Sequence, residues 1–348
     1  MKKGDVGVMR WWLRWILLIL LAVLAWQFLR SGFLEQEREV RGQVREALTN
    51  SFPELANDAQ SRFGIRRFGS PSPGRGEVLL LHGLDDPGLV WMNLVPALVE
   101  EGYGVLLLDY PNDQPIVDSA RFLGRQLEIL SQQGIREIRI VAHSMGGLVS
   151  RELLTSPELR CMPPSCKRPR VRQLIMVGTP NQGSDLARVR ELGEVREQVS
   201  RLFTGEVGWL DWIFDGAGEA GIDLIPGSAF LEALNARALP DGVKMLVIAG
   251  EIGKPQWEQL EALLQEYVNG LPLPLREARE HLGDGLVSVD SARLVGVPLI
   301  RVPGNHLSII RNVSATSTRI PPAIPIILQQ LTSGEGDGEG ATVQPLDN

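Results

Sequence analysis

The segment IVAHSMGGLV, residues 140–149, places a serine between two apolar runs with almost no room for a turn. The run before Ser144 is typical of a buried strand, and the segment GGLVSRELL after it is typical of a helix. Ala142 and Gly146, two positions to either side, are small enough for so tight a turn. The serine hydroxyl would then stand at the positive end of a helix, where a forming anion is favoured. This arrangement indicates a nucleophile.

Five motifs in a fixed order resemble the α/β-hydrolase superfamily and, more narrowly, a bacterial serine lipase or esterase. They are LLLHGLDD (79–86), AHSMGG (142–147), VGTPNQGSDLA (177–187), GDGLVSVDSA (283–292) and GNHL (304–307). The resemblance covers about residues 77–330 and departs from the usual pattern in one respect, because alanine stands at 142 where glycine is usual. It implies an α/β-hydrolase fold and hydrolysis of carboxylic esters through an acyl-enzyme.

A serine hydroxyl needs a base, and histidine is the residue whose pKa lies near neutrality. Of the four histidines, His306 follows the last predicted strand and matches the superfamily's order of serine, acid and histidine. We interpret His82 as a structural hydrogen-bonding residue, His143 as pointing away from the hydroxyl, and His281 as part of a charged helical face. The sequence therefore predicts His306 as the catalytic base.

The base needs a carboxylate to orient its ring, and the oxyanion needs backbone donors. Asp284 in GDGLVS occupies the acid position that the resemblance implies, and Asp290 is the alternative, whose other role would be to cap a helix or turn. Met145 and Leu84 are expected to offer their N–H groups to the oxyanion. The resemblance also implies that calcium-binding relatives carry an aspartate two residues past the histidine, and this position is Ser308, so we predict no metal site and no cofactor.

Apolar runs that alternate with helical patterns are expected to position these residues. The predicted strands have continuous apolar character, as strands covered on both faces do: 77–82, 104–109, 137–142, 172–178, 244–250 and 297–302. Between them, residues 119–134 have helical spacing and end at a glycine. The fold class is therefore α/β, a mainly parallel sheet with helices on both faces and ligands at the carboxyl ends of the strands.

Residues 185–240 exceed what a simple crossover needs, and the resemblance implies a cap or lid there. This stretch is rich in large aromatic residues. Either they line an acyl pocket or contact lipid, or they form the core of the cap itself: Phe203, Trp209, Trp212 and Phe214.

The N-terminus predicts a membrane helix. An apolar run from Trp15 to Trp26, preceded by basic residues, extends to about 18 residues, near the lower limit for crossing a bilayer. A cleaved signal peptide and a buried helix are the alternatives. The expected organisation is an anchor at 1–30, a helical stalk at 31–70, a hydrolase domain at 71–332 and a disordered tail at 333–348.

The short basic tail before the anchor would remain in the cytoplasm, which places the hydrolase domain in the periplasm or otherwise outside the cytoplasm. A disulfide between Cys161 and Cys166 would agree with that location, and two unpaired thiols are the alternative.

The formal net charge of −7 argues against a nucleic-acid partner. The predicted partners are instead an ester or lipid substrate and the membrane. An acyltransferase with the same triad and a catalytically silent envelope binding protein are the alternative functions.

Overall fold

The computed structural model of the protein describes residues 63–84, 88–161, 166–184, 219–252, 283–312, 314 and 317–333. The chain divides into two units, residues 1–53 and 54–348, and every described residue belongs to the second. The anchor predicted for residues 1–30 therefore lies outside the described residues. Within the described ranges, no helix has the length and apolar character that a membrane crossing requires.

Seven strands form one sheet in the order β1-β3-β2-β4-β5-β6-β7. Their bounds are β1 Gly64–Phe68, β2 Glu77–Leu81, β3 Gly104–Asp109, β4 Glu137–His143, β5 Arg170–Val177, β6 Lys244–Glu251 and β7 Leu299–Pro303. Strand β1 runs antiparallel to β3, whereas all other neighbouring pairs are parallel. The mainly parallel sheet predicted from the sequence is confirmed.

Strand β1 was not predicted. Gly64–Phe68 lies at the end of the stretch expected to form a helical stalk, yet it pairs with β3 along the edge of the sheet. Its sequence GIRRF lacks a continuous apolar run because an edge strand leaves part of its surface in water. Arg66 and Arg67 are exposed here and pair with Asp109 and Glu77. The sheet therefore extends into the stretch that was expected to form the stalk.

Seven helices and one short 3₁₀ helix, Leu89–Trp91, occur among the described residues. The helices are α1 Leu94–Glu100, α2 Ile116–Gln132, α3 Met145–Thr155, α4 Glu219–Asp223, α5 Ala229–Asn235, α6 Val289–Ala292 and α7 Ala323–Ser333. Helix α2 covers most of the stretch predicted from helical spacing, and Gly134 follows it with φ 92°. A left-handed glycine at this position ends the helix without a steric penalty.

The two faces of the sheet are covered by different helices. Alternate residues of β2, β3, β4, β5 and β6 join α1 and α7 in one buried cluster: Val78, Leu80, Val105, Val141, Ile175, Ile248, Leu94, Leu98, Ile327 and Leu331. Because side chains alternate along a strand, the intervening apolar residues point to the other face. Helix α3 contacts β4 and β5 and packs on α2, so these two helices cover that face.

Only part of the cap predicted at about 185–240 can be described, since residues 185–218 lie outside the described residues. Helices α4 and α5 lie in the described part of this range. The backbone N–H of Ala220 donates to the carbonyl of Asp113, and that of Ile116 donates to the Asp223 carboxylate, both near 2.8–2.9 Å. Helix α4 is thus attached to the segment between β3 and α2.

Candidate active site

Ser144 occupies a strained turn between β4 and α3. Its φ and ψ are 52° and −127°, and among the described residues it is the only non-glycine residue with a positive φ. Such a conformation costs about 1–3 kcal/mol and persists where the surroundings enforce it. The backbone N–H of Ser144 donates to the carbonyl of Val177 at 2.8 Å, which ties the turn to the end of β5.

The turn is tight because two glycines let neighbouring chains approach Ser144. A Cβ atom added to Gly146 would lie 2.6 Å from the carbonyl oxygen of His82 and 2.7 Å from that of Leu81. A Cβ atom added to Gly83 would lie 2.7 Å from Cβ of Ser144. The requirement for a small residue at 146, inferred from the sequence, therefore has a steric cause, and the His-Gly loop lies directly beside the serine.

Asp284 and His306 form a buried hydrogen-bonded pair. Nδ1 of His306 lies 2.7 Å from Oδ2 of Asp284, and the backbone N–H of His306 donates to the Asp284 carbonyl at 2.9 Å. The other carboxylate oxygen, Oδ1, accepts from the N–H groups of Leu286 and Val287 at 2.9 and 2.8 Å. With both carboxylate oxygens occupied, Asp284 can orient the ring and stabilise an imidazolium.

The alternative acid, Asp290, lies away from this pair. It belongs to α6, its side chain is 79% exposed, and its carboxylate is 4.0 Å from Arg293. Ser288 caps the helix in its place by accepting from the N–H of Ser291. The structure thus brings Asp284 to His306 and leaves Asp290 in solvent.

A glycine joins the serine to the histidine pair. Gly178 directly follows Val177, the residue that accepts from the Ser144 N–H. A Cβ atom added to Gly178 would lie 3.1 Å from Cε1 of His306 and 3.3 Å from Oδ2 of Asp284. The three predicted catalytic residues therefore gather at the carboxyl edge of the sheet, after β4, β6 and β7.

The turn that presents His306 is built by its neighbours. Oδ1 of Asn305 accepts from the N–H groups of Leu307 and Ser308, and Oγ of Ser308 accepts from the N–H of Asn305. Gly304 provides the φ of 146° at which the chain leaves β7. Ser308, at the position where an aspartate would indicate calcium, thus stabilises the turn.

The loop expected to supply one oxyanion donor is fixed by hydrogen bonds to its carbonyls. The Gly83 carbonyl accepts from Nδ1 of His82 at 2.8 Å and from Nδ2 of Asn112 at 3.4 Å. The peptide unit is planar, and its N–H points opposite to its C=O. The Leu84 N–H is therefore directed away from His82 and Asn112. Met145, the second predicted donor, is the first residue of α3, where N–H groups lack helical acceptors.

Tyr110 supports the same loop. Its hydroxyl donates to the His82 carbonyl at 2.7 Å, and its ring stacks on the His82 ring with 4.6 Å between centroids. Burial raises the pKa of Tyr110 above its ordinary value, which keeps the phenol protonated as a donor. His82 is therefore a structural residue, as the sequence indicated.

The other predicted residues cannot be located. Trp209, Trp212 and Phe214 lie outside the described residues, as do Phe203 and His281.

Comparison with known proteins yields one family model and several solved structures. The model of a domain of unknown function, DUF7379, matches residues 117–272, which is less than half of the chain. Comparison with the sequences of curated proteins found no match.

Several of the similar solved structures are named as lipases or esterases. The mature lipase BlEst2 of Bacillus licheniformis has a TM-score of 0.51 and 20% identity, over 77% of this chain and 97% of that one. The metagenomic carboxyl esterase MGS0156 has a TM-score of 0.51 and 18% identity, over 78% of each chain. Phospholipase PlaB of Legionella pneumophila has a TM-score of 0.50 and 17% identity, over 74% of this chain and 59% of that one. The match thus spans less than two thirds of PlaB.

The protein has the α/β-hydrolase fold. Within this fold, the sequence prediction missed a buried polar network on α3. Arg151 of α3 donates to the side-chain oxygens of Asn181 and Asn235, both at 2.9 Å. Burial, assisted by Arg237, lowers the pKa of Arg151 to about 10.

The prediction also missed Tyr110 and Asn112, although both directly follow β3 at the carboxyl edge of the hydrolase sheet. Polar residues at that position were the signal that could have identified them.

Proposed function

We propose that this protein is a serine hydrolase that cleaves carboxylic esters. Ser144 is the nucleophile, His306 the base and Asp284 the residue that orients and stabilises the His306 ring. The observation that carries the proposal is the buried 2.7 Å bond between Asp284 and His306 at the edge where Ser144 holds its strained conformation. A hydroxyl in a strained turn, beside an oriented imidazole, is the arrangement that nucleophilic catalysis needs.

In the proposed reaction, Oγ of Ser144 attacks the ester carbonyl while Nε2 of His306 accepts its proton. The N–H groups of Leu84 and Met145 stabilise the resulting oxyanion, and each lowers the barrier by about 3 kcal/mol. His306 then donates the proton to the departing alcohol, which leaves an acyl group on Ser144. Water, deprotonated by His306, then attacks the acyl carbonyl. The bond from the acyl carbon to Oγ breaks, His306 returns the proton to Oγ of Ser144, and the acid departs.

Two exposed leucines close in sequence to the predicted acid and base support esters of apolar acids as substrates. Leu286 and Leu307 are 46% and 39% exposed, and they lie two residues after Asp284 and one residue after His306. The lipase, phospholipase and esterase activities named for BlEst2, PlaB and MGS0156 are compatible with such a substrate.

The predicted role of Trp209, Trp212 and Phe214 belongs to the same proposal: they line the acyl pocket from the cap. Replacement of Trp209 and Trp212 by alanine is expected to slow the hydrolysis of long-chain esters selectively. An equal loss on short-chain esters would indicate that these aromatics form the core of the cap.

Labelling with a fluorophosphonate probe tests the nucleophile. The wild type is expected to label, and Ser144→Ala is expected to abolish labelling while its melting temperature stays close to that of the wild type. Hydrolysis of p-nitrophenyl esters of two to sixteen carbons, with and without bilayers, then measures the acyl preference. A folded wild type that neither labels nor hydrolyses any of these esters would contradict the proposal and favour a binding protein.

We further propose that residues 1–30 anchor the protein in a membrane, with the hydrolase domain outside the cytoplasm. Two observations support this: the apolar run from Trp15 to Trp26 with basic residues before it, and a disulfide between Cys161 and Cys166. Disulfides persist in oxidising compartments. The full-length protein is expected to resist extraction from membranes by carbonate and to be digested by protease added to spheroplasts. Protection from that protease would place the domain in the cytoplasm.

A further inference from the structure

His143 directly precedes Ser144, and its side chain bonds to the turn that carries His306. Nε2 of His143 lies 3.0 Å from the backbone carbonyl oxygen of His306, and the centroids of the two rings are 4.6 Å apart. A carbonyl oxygen only accepts hydrogen bonds, so Nε2 of His143 must carry a proton. This contact is separate from the two hydrogen bonds that join His306 to Asp284.

The surroundings of His143 oppose a second proton on the ring. Its side chain is buried, the Trp91 ring lies nearly perpendicular to it at 6.4 Å between centroids, and among the described residues Nδ1 has no hydrogen-bond partner. A proton on Nδ1 would therefore be a buried donor without an acceptor. Burial above all, then the facing His306, His82 and Arg311, hold the pKa of His143 well below its ordinary value of 6.5.

The bonds of His306 lead to two different elements. Its Nδ1 and its backbone N–H reach Asp284, which ties the turn to the loop after β6. Its backbone carbonyl accepts from His143, which ties the same turn to β4, the strand that ends at Ser144. The bond from His143 thus sets the position of the histidine turn relative to the strand that carries the nucleophile.

We propose that His143 is a positioning residue, whose Nε2–H fixes the backbone of His306 and thereby sets the distance from the His306 ring to Ser144. The role rests on the proposed function, because it concerns the geometry of the same catalytic residues. His143 does not contact the reacting atoms and exchanges no proton during the reaction.

A matched pair of neutral amides tests this role in the full-length protein. His143→Gln places an amide N–H at a reach similar to Nε2, whereas His143→Asn is one methylene shorter and cannot reach the His306 carbonyl. We expect His143→Asn to lower kcat for a short-chain ester about 10-fold or more relative to His143→Gln, with KM nearly equal, because a small misplacement of a catalytic group is costly. Melting temperatures of both variants establish that they are folded.

Equal kcat values for the two folded variants would overturn the role of His143, as would a change confined to KM. A second measurement does not depend on any variant: ¹⁵N-detected NMR of the wild type is expected to show His143 as the Nε2–H tautomer at neutral pH, and an Nδ1–H tautomer would overturn the proposal. A wild type that fails to label with fluorophosphonate contradicts the proposed function instead. In that case the tautomer measurement still decides whether the bond to His306 exists.

Discussion

The serine side and the histidine side of the site are held in place by different forces. On the serine side, the backbone of Ser144 adopts a strained φ of 52°. A neighbouring chain segment approaches Gly146 so closely that no space is left for a methyl group there. On the histidine side, Asp284 accepts hydrogen bonds at both carboxylate oxygens and at its carbonyl. Steric fit dominates one side and hydrogen bonding dominates the other.

This difference predicts opposite sensitivities to substitution. A close-packed turn tolerates the loss of polar atoms but not the addition of a carbon. A hydrogen-bonded pair does not tolerate the replacement of an acceptor by a donor, even one of the same shape, because its partner decides the histidine tautomer. The substitutions below test the two sides separately.

The largest effect is expected from Asp284→Asn on the histidine side. The N–H groups of Leu286 and Val287 require an oxygen at the Oδ1 position, so the amide nitrogen must face Nδ1 of His306. His306 would then hold its proton on Nε2 and could not accept the serine proton. We expect kcat to fall about 10⁴-fold, measured with a short-chain ester. Asp290→Asn, in solvent, is the control and should retain wild-type kcat; a loss below tenfold for Asp284→Asn would contradict the assignment.

On the serine side, Gly146→Ala is expected to reduce the free energy of unfolding by about 3 kcal/mol, the upper part of the range for overpacking. The added Cβ would meet the carbonyl oxygens of His82 and Leu81, and backbone atoms of a central strand cannot move aside easily. Urea unfolding measures the loss. Gly134→Ala is the control: its added Cβ meets nothing within 4 Å, so its loss of about 1 kcal/mol reflects only its positive φ. Equal losses would exclude a steric cause.

The two sides meet at His143, and acid is expected to destabilise the folded protein through this buried residue. The folded pKa of His143 lies well below 6.5, so below pH 6.5 the unfolded chain binds a proton that the folded protein does not. Stability is therefore unaffected above this pH and falls as the pH drops through the window below it. Between pH 7.5 and 5.5 the wild type should lose more stability than His143→Gln, measured by urea unfolding at each pH. The same pH dependence in both proteins would mean that His143 does not cause it.

The elements that carry the site could be predicted because their signals are local. Five of the central strands are continuous apolar runs, and Ser144 and His306 stand in short motifs directly after two of the strands. Strand β1 could not be predicted in this way, because GIRRF is a short edge strand whose pairing with β3 is a long-range event.

The supporting residues of the site were missed for the same reason. The bond from Asn112 to Gly83 and the bonds from Arg151 to Asn181 and Asn235 join residues that are 29, 30 and 84 positions apart. Nothing in the sequence near each residue indicates its partner. Position after a strand identifies a candidate, but only the packing of α3, α5 and the loops on one another brings the partners together.

The smallest expected effect is the release of strain at Ser144 itself. Glycine adopts a φ of 52° without the Cβ clash that serine experiences, whereas alanine retains that clash. Both Ser144→Gly and Ser144→Ala lack the hydroxyl, so they differ only in backbone freedom. After the greater entropy of an unfolded glycine is allowed for, Ser144→Gly should be about 1 kcal/mol more stable to urea than Ser144→Ala. If the glycine variant were less stable, the turn at Ser144 would not be strained. The serine side would then depend on hydrogen bonds, as the histidine side does.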